Sequence, residues 1–267
     1  MITINNDNIS SDFKPYIIAE ISANHNGSLE RAKKLIFTAK RAGASAVKIQ
    51  TYTPETMTIN STKSDFKITE GLWKGYTLYQ LYKEAYTPYE WHFALFEYAR
   101  KIGITLFSTP FDETAVDLLE ELNTPAYKIA SFELTDLPLI KYVAKKKKPM
   151  LISTGMATLD EISNVIECCK KENNNQLLLF HCVSNYPTKT EEYNLHNISL
   201  LANKFNLDVG LSDHSKSNIA AILATSLGAS AIEKHLKLDN SEDGPDSRFS
   251  ILPKQFSSLV KETTSSH

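Results

Sequence analysis

The sequence predicts an α/β fold, a single (β/α)8 TIM barrel spanning residues 1–267, and three observations carry that prediction. Eight short apolar or β-branched runs alternate with amphipathic segments of roughly ten to fifteen residues, the pattern of repeated βα units on a parallel sheet. Glycines stand where helices should end, and a strand follows each almost at once. No glycine-rich dinucleotide fingerprint follows the first strand, which favours a closed barrel over an open doubly wound sheet of similar length.

In chain order the predicted strands are 16–19, 46–49, 105–108, 126–129, 150–153, 177–180, 208–211 and 231–233. Ser28 opens a helix over 29–41, Pro88 opens one that runs to Lys101, and Thr158 with Glu161 forms a capping-box pattern. Gly43, Gly103 and Gly228 close helices by taking the left-handed conformation. The longest insertion, 51–87, follows the second strand, on the face where barrel enzymes place their active sites. It carries Gly71-Leu72-Trp73-Lys74-Gly75-Tyr76 and then a helical pattern with Leu78, Leu81, Tyr82 and Ala85. Such an aromatic segment either covers the barrel mouth as a lid or packs its rings against the barrel wall.

Composition narrows the function classes. Hydrophobic residues make up 42% of the 267-residue chain and charged residues 22%, the balance of a globular protein rather than a disordered one. With 29 basic against 31 acidic residues there is no broad positive field, so nucleic acid is not an expected partner. The one basic run, Lys145 to Lys148, reads as a solvated helix end before Pro149. The start lacks a basic segment followed by an apolar one, and no stretch approaches the ~18 apolar residues of a membrane span. The expectation is a cytoplasmic protein with no membrane partner. Cys168, Cys169 and Cys182 have no zinc-ligand spacing and are expected to be reduced and structural.

Nearly every predicted strand runs out into polar or ionisable residues, and in a barrel those positions converge. Glu20 follows the first strand, Lys48 and Gln50 end the second, and Ser108 and Thr109 end the third. Lys128 and Ser131 flank the end of the fourth, Ser153 and Thr154 end the fifth, and His181 and Ser184 the sixth. The seventh gives Ser212-Asp213-His214 and the eighth Glu233-Lys234-His235. Lysines are rarely buried unpaired, so Lys48 and Lys128 call for anionic partners, either a bound phosphate or carboxylate or a pair of internal carboxylate bridges. Hydroxyls at Thr109, Ser131, Ser153, Ser184 and Ser212 add donors for an anion. His214 and His235 end adjacent strands and could share a divalent metal with open positions for water and substrate; the spacing is not a compact motif, so ligation and its absence both stay open here. His25, in Asn24-His25-Asn26-Gly27, either meets substrate or holds a tight loop, and Asp246, in Gly244-Pro245-Asp246, either meets a hydroxylated substrate or forms an Asx turn.

These residues resemble the sialic acid synthase family. The likeness is carried by Ile18-Ala19-Glu20-Ile21-Ser22-Ala23-Asn24-His25-Asn26-Gly27, Val47-Lys48-Ile49-Gln50-Thr51-Tyr52, Tyr127-Lys128-Ile129-Ala130-Ser131, Ser153-Thr154-Gly155-Met156, Gly210-Leu211-Ser212-Asp213-His214 and Glu233-Lys234-His235. It covers essentially the whole chain. Gly71-Leu72-Trp73-Lys74-Gly75-Tyr76-Thr77-Leu78-Tyr79 and Thr87-Pro88-Tyr89-Glu90-Trp91-His92 resemble the pseudaminic acid branch.

The resemblance implies a reaction in which the enol carbon of phosphoenolpyruvate attacks the aldehyde of an open-chain amino sugar. Water then adds to the cationic carbon and phosphate leaves by C–O cleavage. It implies that His214 and His235 hold a divalent metal that polarises the aldehyde, with manganese the expected ion and magnesium or cobalt the alternatives. Lys48, Thr109, Lys128, Ser131, Ser153, Ser184 and Ser212 would bind phosphoenolpyruvate; Glu20, Gln50, Tyr186 and Asp246 would meet the sugar or the reacting centre, with Glu20 orienting or deprotonating the attacking water. Ser184 stands where sialic acid synthases tend to have asparagine, in keeping with the pseudaminate branch. The family continues past the barrel into a small antifreeze-like domain that, in a swapped homodimer, lends an arginine to the partner's active site; the 267 residues hold the barrel without it. The expected product is pseudaminic acid from a 2,4-diacetamido-2,4,6-trideoxy hexose. The rivals are N-acetylneuraminate or legionaminate synthesis, and a catalytically impaired barrel kept for ligand binding.

Overall fold

The computed structural model describes residues 1–240 and 244–267. A short antiparallel hairpin, β1 (Ile2–Ile4) and β2 (Asp7–Ile9), comes first. Eight parallel strands follow: β3 (Tyr16–Glu20), β4 (Ala46–Thr51), β5 (Thr105–Pro110), β6 (Tyr127–Ile129), β7 (Met150–Ser153), β8 (Leu177–Cys182), β9 (Val209–Asp213) and β10 (Ala231–His235). They pair in chain order, and β10 returns to β3 with His235 opposite Glu20, so the predicted barrel is closed. Several strands run one or two residues beyond their apolar cores. Ladder hydrogen bonds come from the backbone and continue into polar residues where a hydrophobic run stops.

The helices are α1 (Leu29–Arg41), α2 (Pro54–Met57), α3 (Leu78–Ala85), α4 (Tyr89–Ile102), α5 (Glu113–Glu121), α6 (Leu137–Ala144), α7 (Leu159–Lys171), α8 (His196–Phe205), α9 (Ile219–Ser226) and α10 (Pro253–Ser266). Ser28 caps α1 by accepting the Arg31 N–H, and at α7 Thr158 and Glu161 each accept the other's backbone N–H. Among the described residues no helix is long and apolar enough to cross a membrane.

The strands alternate faces with period two, and this alternation builds both the core and the site. Outward residues such as Ile17, Val47, Ile49, Tyr127, Ile152 and Leu179 pack under the helices. Inward residues at the lower end, including Ile18, Ala46, Phe107, Ala126, Leu151, Leu178 and Ala231, form a second apolar cluster together with Ile2, Ile4 and Ile9 of the hairpin. The hairpin therefore seals the bottom of the barrel, a role its three-residue strands do not announce in sequence. Two residues further up, the inward rows carry Glu20, Lys48, Thr109, Lys128, Ser153 and Glu233, joined by Ser212 beyond Gly210 on β9, while β8 keeps an apolar Phe180. The barrel interior is hydrocarbon below and charged above.

Candidate active site

A cavity at the C-terminal ends of the strands is lined by Glu20, Lys48, Gln50, Thr109, Lys128, Ser131, Ser153, Ser184, Tyr186, Ser212, His214 and His235, together with Glu233 and Cys182. All but the last two were candidate site residues from sequence.

Four buried charges form its floor. Lys48 Nζ lies 2.9 Å from Glu20 Oε2 and 2.9 Å from Glu233 Oε1; Lys128 Nζ lies 3.2 Å from Glu233 Oε2; the Ser212 hydroxyl donates to Glu233 Oε1 at 2.6 Å. The lysines thus find internal carboxylates, with Glu233 shared between them. Burial works against the Glu233 charge, but Lys128 and Lys48 together hold its carboxyl well below the usual carboxylate range. Burial pushes the Glu20 carboxyl up to about 7, with Lys48 opposing and Glu233 adding to the rise. Lys128 is drawn down to about 8 by burial, against the pull of Glu233. Near neutral pH the quartet therefore lies between zero and one net positive charge, according to whether Glu20 holds a proton. An entering anion meets two ammonium groups and a carboxyl that can go neutral.

Glu233 is the functional candidate that sequence reasoning passed over. Glu233-Lys234-His235 stood out as a polar strand end, yet only period-two alternation separates the members: 233 and 235 face inward together while Lys234 faces out. Its Nζ goes to Asp213 Oδ2 at 2.5 Å and to the Ser217 carbonyl at 2.8 Å.

Hydroxyls line one side. Ser131 Oγ accepts the Gly155 N–H at 3.1 Å and lies 3.3 Å from Cys182 Sγ. A Cβ at Gly155 would stand 2.6 Å from Ser184 Oγ and 2.8 Å from Ser131 Oγ, so glycine is what lets these two hydroxyls converge. Thr109 Oγ1 is buried with no hydrogen-bond partner among the described residues, a donor awaiting an acceptor.

The two histidines meet as expected, with ring centroids 5.7 Å apart. His214 Nδ1 lies 2.8 Å from the Val183 carbonyl, which requires the proton on Nδ1 and leaves Nε2 as a lone-pair donor. Burial lowers the His214 pKa to about 4 and that of His235 well below the ordinary value, so both rings are neutral. His235 Nδ1 is buried with no partner among the described residues. Neutral imidazoles with nitrogen valence unused by the fold fit a metal ion. Among the described residues no group of three or more His, Cys, Asp or Glu side chains could hold one.

Other candidates lie elsewhere. Asp246 does not line the cavity: its Oδ2 accepts the Ala23 N–H at 3.1 Å, while Glu20 Oε1 accepts the Ser22 N–H at 2.7 Å. Between them the two carboxylates hold Ser22 at φ 37, a left-handed conformation costly for a residue with a Cβ. Asp246 thus acts on Glu20's own turn. His25 is buried against the edge of Trp91, accepts the Gly27 N–H on Nδ1 and serves the loop. His181 points out to the Tyr193 carbonyl. The insertion does reach the mouth, where Trp73 Nε1 donates to the Pro245 carbonyl at 2.9 Å.

A closed βα barrel with a buried, charged cavity at its C-terminal strand ends defines a barrel enzyme. The NeuB family matches residues 35–267, and the chain belongs to that family. It is 50% identical over 253 residues to pseudaminic acid synthase from Campylobacter jejuni, covering 95% of this chain and 74% of that protein. It is 48% identical over 247 residues to pseudaminic acid synthase from Helicobacter pylori, covering 92% and 73%. The crystal structure of N-acetylneuraminic acid (sialic acid) synthetase from Leptospira borgpetersenii in complex with citrate matches with a TM-score of 0.89 at 32% identity, over 99% of this chain and 88% of that one.

Proposed function

We propose that this protein condenses phosphoenolpyruvate with an open-chain 2,4-diacetamido-2,4,6-trideoxy hexose to give pseudaminic acid and inorganic phosphate. The observation that carries the reading is the gathering of two lysines, five hydroxyls and two neutral imidazoles in one buried cavity. Likeness to pseudaminic acid synthases at about half of all positions selects the product over its N-acetylneuraminate and legionaminate rivals.

In this reading Lys128 and Lys48 receive the phosphate and carboxylate of phosphoenolpyruvate, with Thr109, Ser131, Ser153, Ser184 and Ser212 donating hydrogen bonds. Gln50 and Tyr186 orient the sugar. The methylene carbon of phosphoenolpyruvate forms the new bond to the aldehyde carbon, whose oxygen gains a proton. Glu20 takes one proton from water as the water oxygen adds to C2, balancing the proton gained by the aldehyde oxygen; the C–O bond to phosphate then breaks, the second water proton leaves with the phosphate, and the ketone remains. A divalent cation on His214 and His235, manganese first among candidates and magnesium or cobalt next, would supply Lewis-acid polarisation of the aldehyde oxygen. Such an enzyme belongs in the cytoplasm.

The test is phosphate release from phosphoenolpyruvate with manganese, comparing the trideoxy diacetamido sugar, N-acetylmannosamine and no sugar. Release with the first alone is expected, and His235→Ala weakens manganese binding in a direct titration. Release with N-acetylmannosamine would transfer the assignment to sialic acid synthesis. Absence of release despite phosphoenolpyruvate binding would favour a barrel that only binds ligand.

The hydroxyl cradle makes its own prediction. Gly155→Ala forces Ser131 and Ser184 apart, and overpacking of this kind costs about 1–3 kcal/mol. The expected result is a rise of roughly tenfold in KM for phosphoenolpyruvate with a smaller change in kcat; an unchanged KM would remove these serines from the phosphate site.

A further inference from the structure

On the outer face of the barrel wall, behind the two histidines, stands an ion pair that the proposed reaction does not use. Lower on the same strands the outward positions are apolar: Val209 and Leu211 on β9 and Ile232 on β10 pack under the helices. Two residues above Leu211 and Ile232, Asp213 and Lys234 face each other at the uppermost paired position of the β9–β10 ladder, and both are buried. Lys234 Nζ lies 2.5 Å from Asp213 Oδ2 and donates to the Ser217 carbonyl at 2.8 Å and to Ser215 Oγ at 3.3 Å. Asp213 Oδ1 accepts the Ser215 N–H at 2.9 Å. His214 is the first residue past β9 and has left the ladder. The Thr188 N–H reaches its carbonyl at 3.2 Å, and its ring is held by the Val183 carbonyl and by Tyr186, stacked at 4.2 Å between centroids. Its backbone otherwise follows the loop 214–218, and that loop is tied down by Lys234, the chain neighbour of His235.

We propose that Asp213 and Lys234 are positioning residues that fix the His214 and His235 imidazoles relative to each other for a divalent cation. The inference rests on the metal centre proposed above and deepens it. Stability alone explains the pair poorly. Replacing a buried ion pair by apolar side chains of similar volume is often neutral or stabilising, because both charges have to be desolvated. Leu211 and Ile232 already show that hydrocarbon joins these strands to the helices. What hydrocarbon lacks is direction. It cannot donate to the Ser217 carbonyl or accept the Ser215 N–H, so the loop leaving His214 would lose its anchors to β10. Groups that fix the rings of metal-ligating histidines are worth roughly tenfold to hundredfold in metal affinity.

The experiment titrates manganese into the native protein, Lys234→Met and the double variant Lys234→Met with Asp213→Asn, reading free ion by electron paramagnetic resonance. Phosphoenolpyruvate is titrated into each without metal, and a thermal midpoint verifies folding. Both variants are expected to bind manganese roughly tenfold to hundredfold more weakly. Affinity for phosphoenolpyruvate, whose proposed lysines stand on other strands, should stay within about twofold. The sign of the effect separates geometry from field, since Lys234→Met removes a positive charge and by Coulomb attraction alone would tighten cation binding. Ser215→Ala, which deletes one Lys234 contact and no charge, carries the comparison where the charge variants do not fold; a loss of about threefold to tenfold is expected, and an unchanged affinity overturns the proposal. Manganese affinity within about threefold of native in the folded Lys234 variants, or an equal loss of phosphoenolpyruvate affinity, overturns the positioning role while leaving the metal centre intact. Failure of the native protein to bind manganese overturns the centre on His214 and His235 and this inference with it.

Discussion

Replacing Glu20 by glutamine is expected to lower turnover by about 10²- to 10⁴-fold, the usual contribution of a positioned general base, and to remove the low-pH limb of the rate profile. The substitution keeps the shape of the side chain and leaves an amide oxygen to accept the Ser22 N–H, now accepted by Glu20 Oε1 at 2.7 Å. It removes the ability to take a proton and the charge that faces Lys48, which keeps Glu233 as its carboxylate partner. The facing groups set the pH at which that ability appears. Burial raises the Glu20 carboxyl to about 7, Lys48 on β4 opposes the rise, and Glu233 on β10 adds to it. A protonated carboxyl cannot act as a base, so kcat/KM should rise tenfold per pH unit below about 7 and level off above it. Lys128, lowered to about 8, then loses its charge and its hold on an anionic substrate, giving a falling limb. The glutamine variant should keep the falling limb and lose the rising one. Persistence of the rising limb at its native position in Glu20→Gln would take the base role away from Glu20.

Loss of the Glu233 charge should be the most destabilising change in the site. Glu233→Gln leaves Lys128 with no carboxylate partner in the described cavity and Lys48 with Glu20 alone. Removing one partner of a buried ion pair typically costs about 3–5 kcal/mol, because the remaining charge stays desolvated without compensation. Urea unfolding should show a loss of that size. Phosphoenolpyruvate, by supplying the missing negative charge, should restore more stability to the variant than it adds to the native protein. A loss below about 1 kcal/mol, the range of solvent-exposed pairs, would mean that water screens the quartet and that Glu233 does not organise it.

Much of the architecture was open to reading from the chain. Each barrel strand contains a short β-branched or apolar run, and each of Gly43, Gly103 and Gly228 has the positive φ expected at a helix end, 95, 71 and 92. These signals are local, and local physics decides them. The β1–β2 hairpin escaped notice because strands of three residues carry too little periodicity to stand out; only the apolar underside of the barrel gives Ile2, Ile4 and Ile9 their purpose. For Asp246 the sequence leaves a substrate contact and an Asx turn both open; the path of the chain after the last strand brings its Oδ2 to the Ala23 N–H, a partner more than two hundred residues away that no local pattern announces.

By itself the sequence determined that this protein is a βα barrel with polar strand ends, and which side chains share a face, since alternation along a strand follows from backbone geometry. Only the tertiary structure decided who meets whom across the interior. Glu233 sits between Lys48 and Lys128, and Trp73 reaches Phe249, because closure brings together residues far apart along the chain. Pairwise distance across a closed barrel depends on register and on the paths of loops, and no local pattern encodes either.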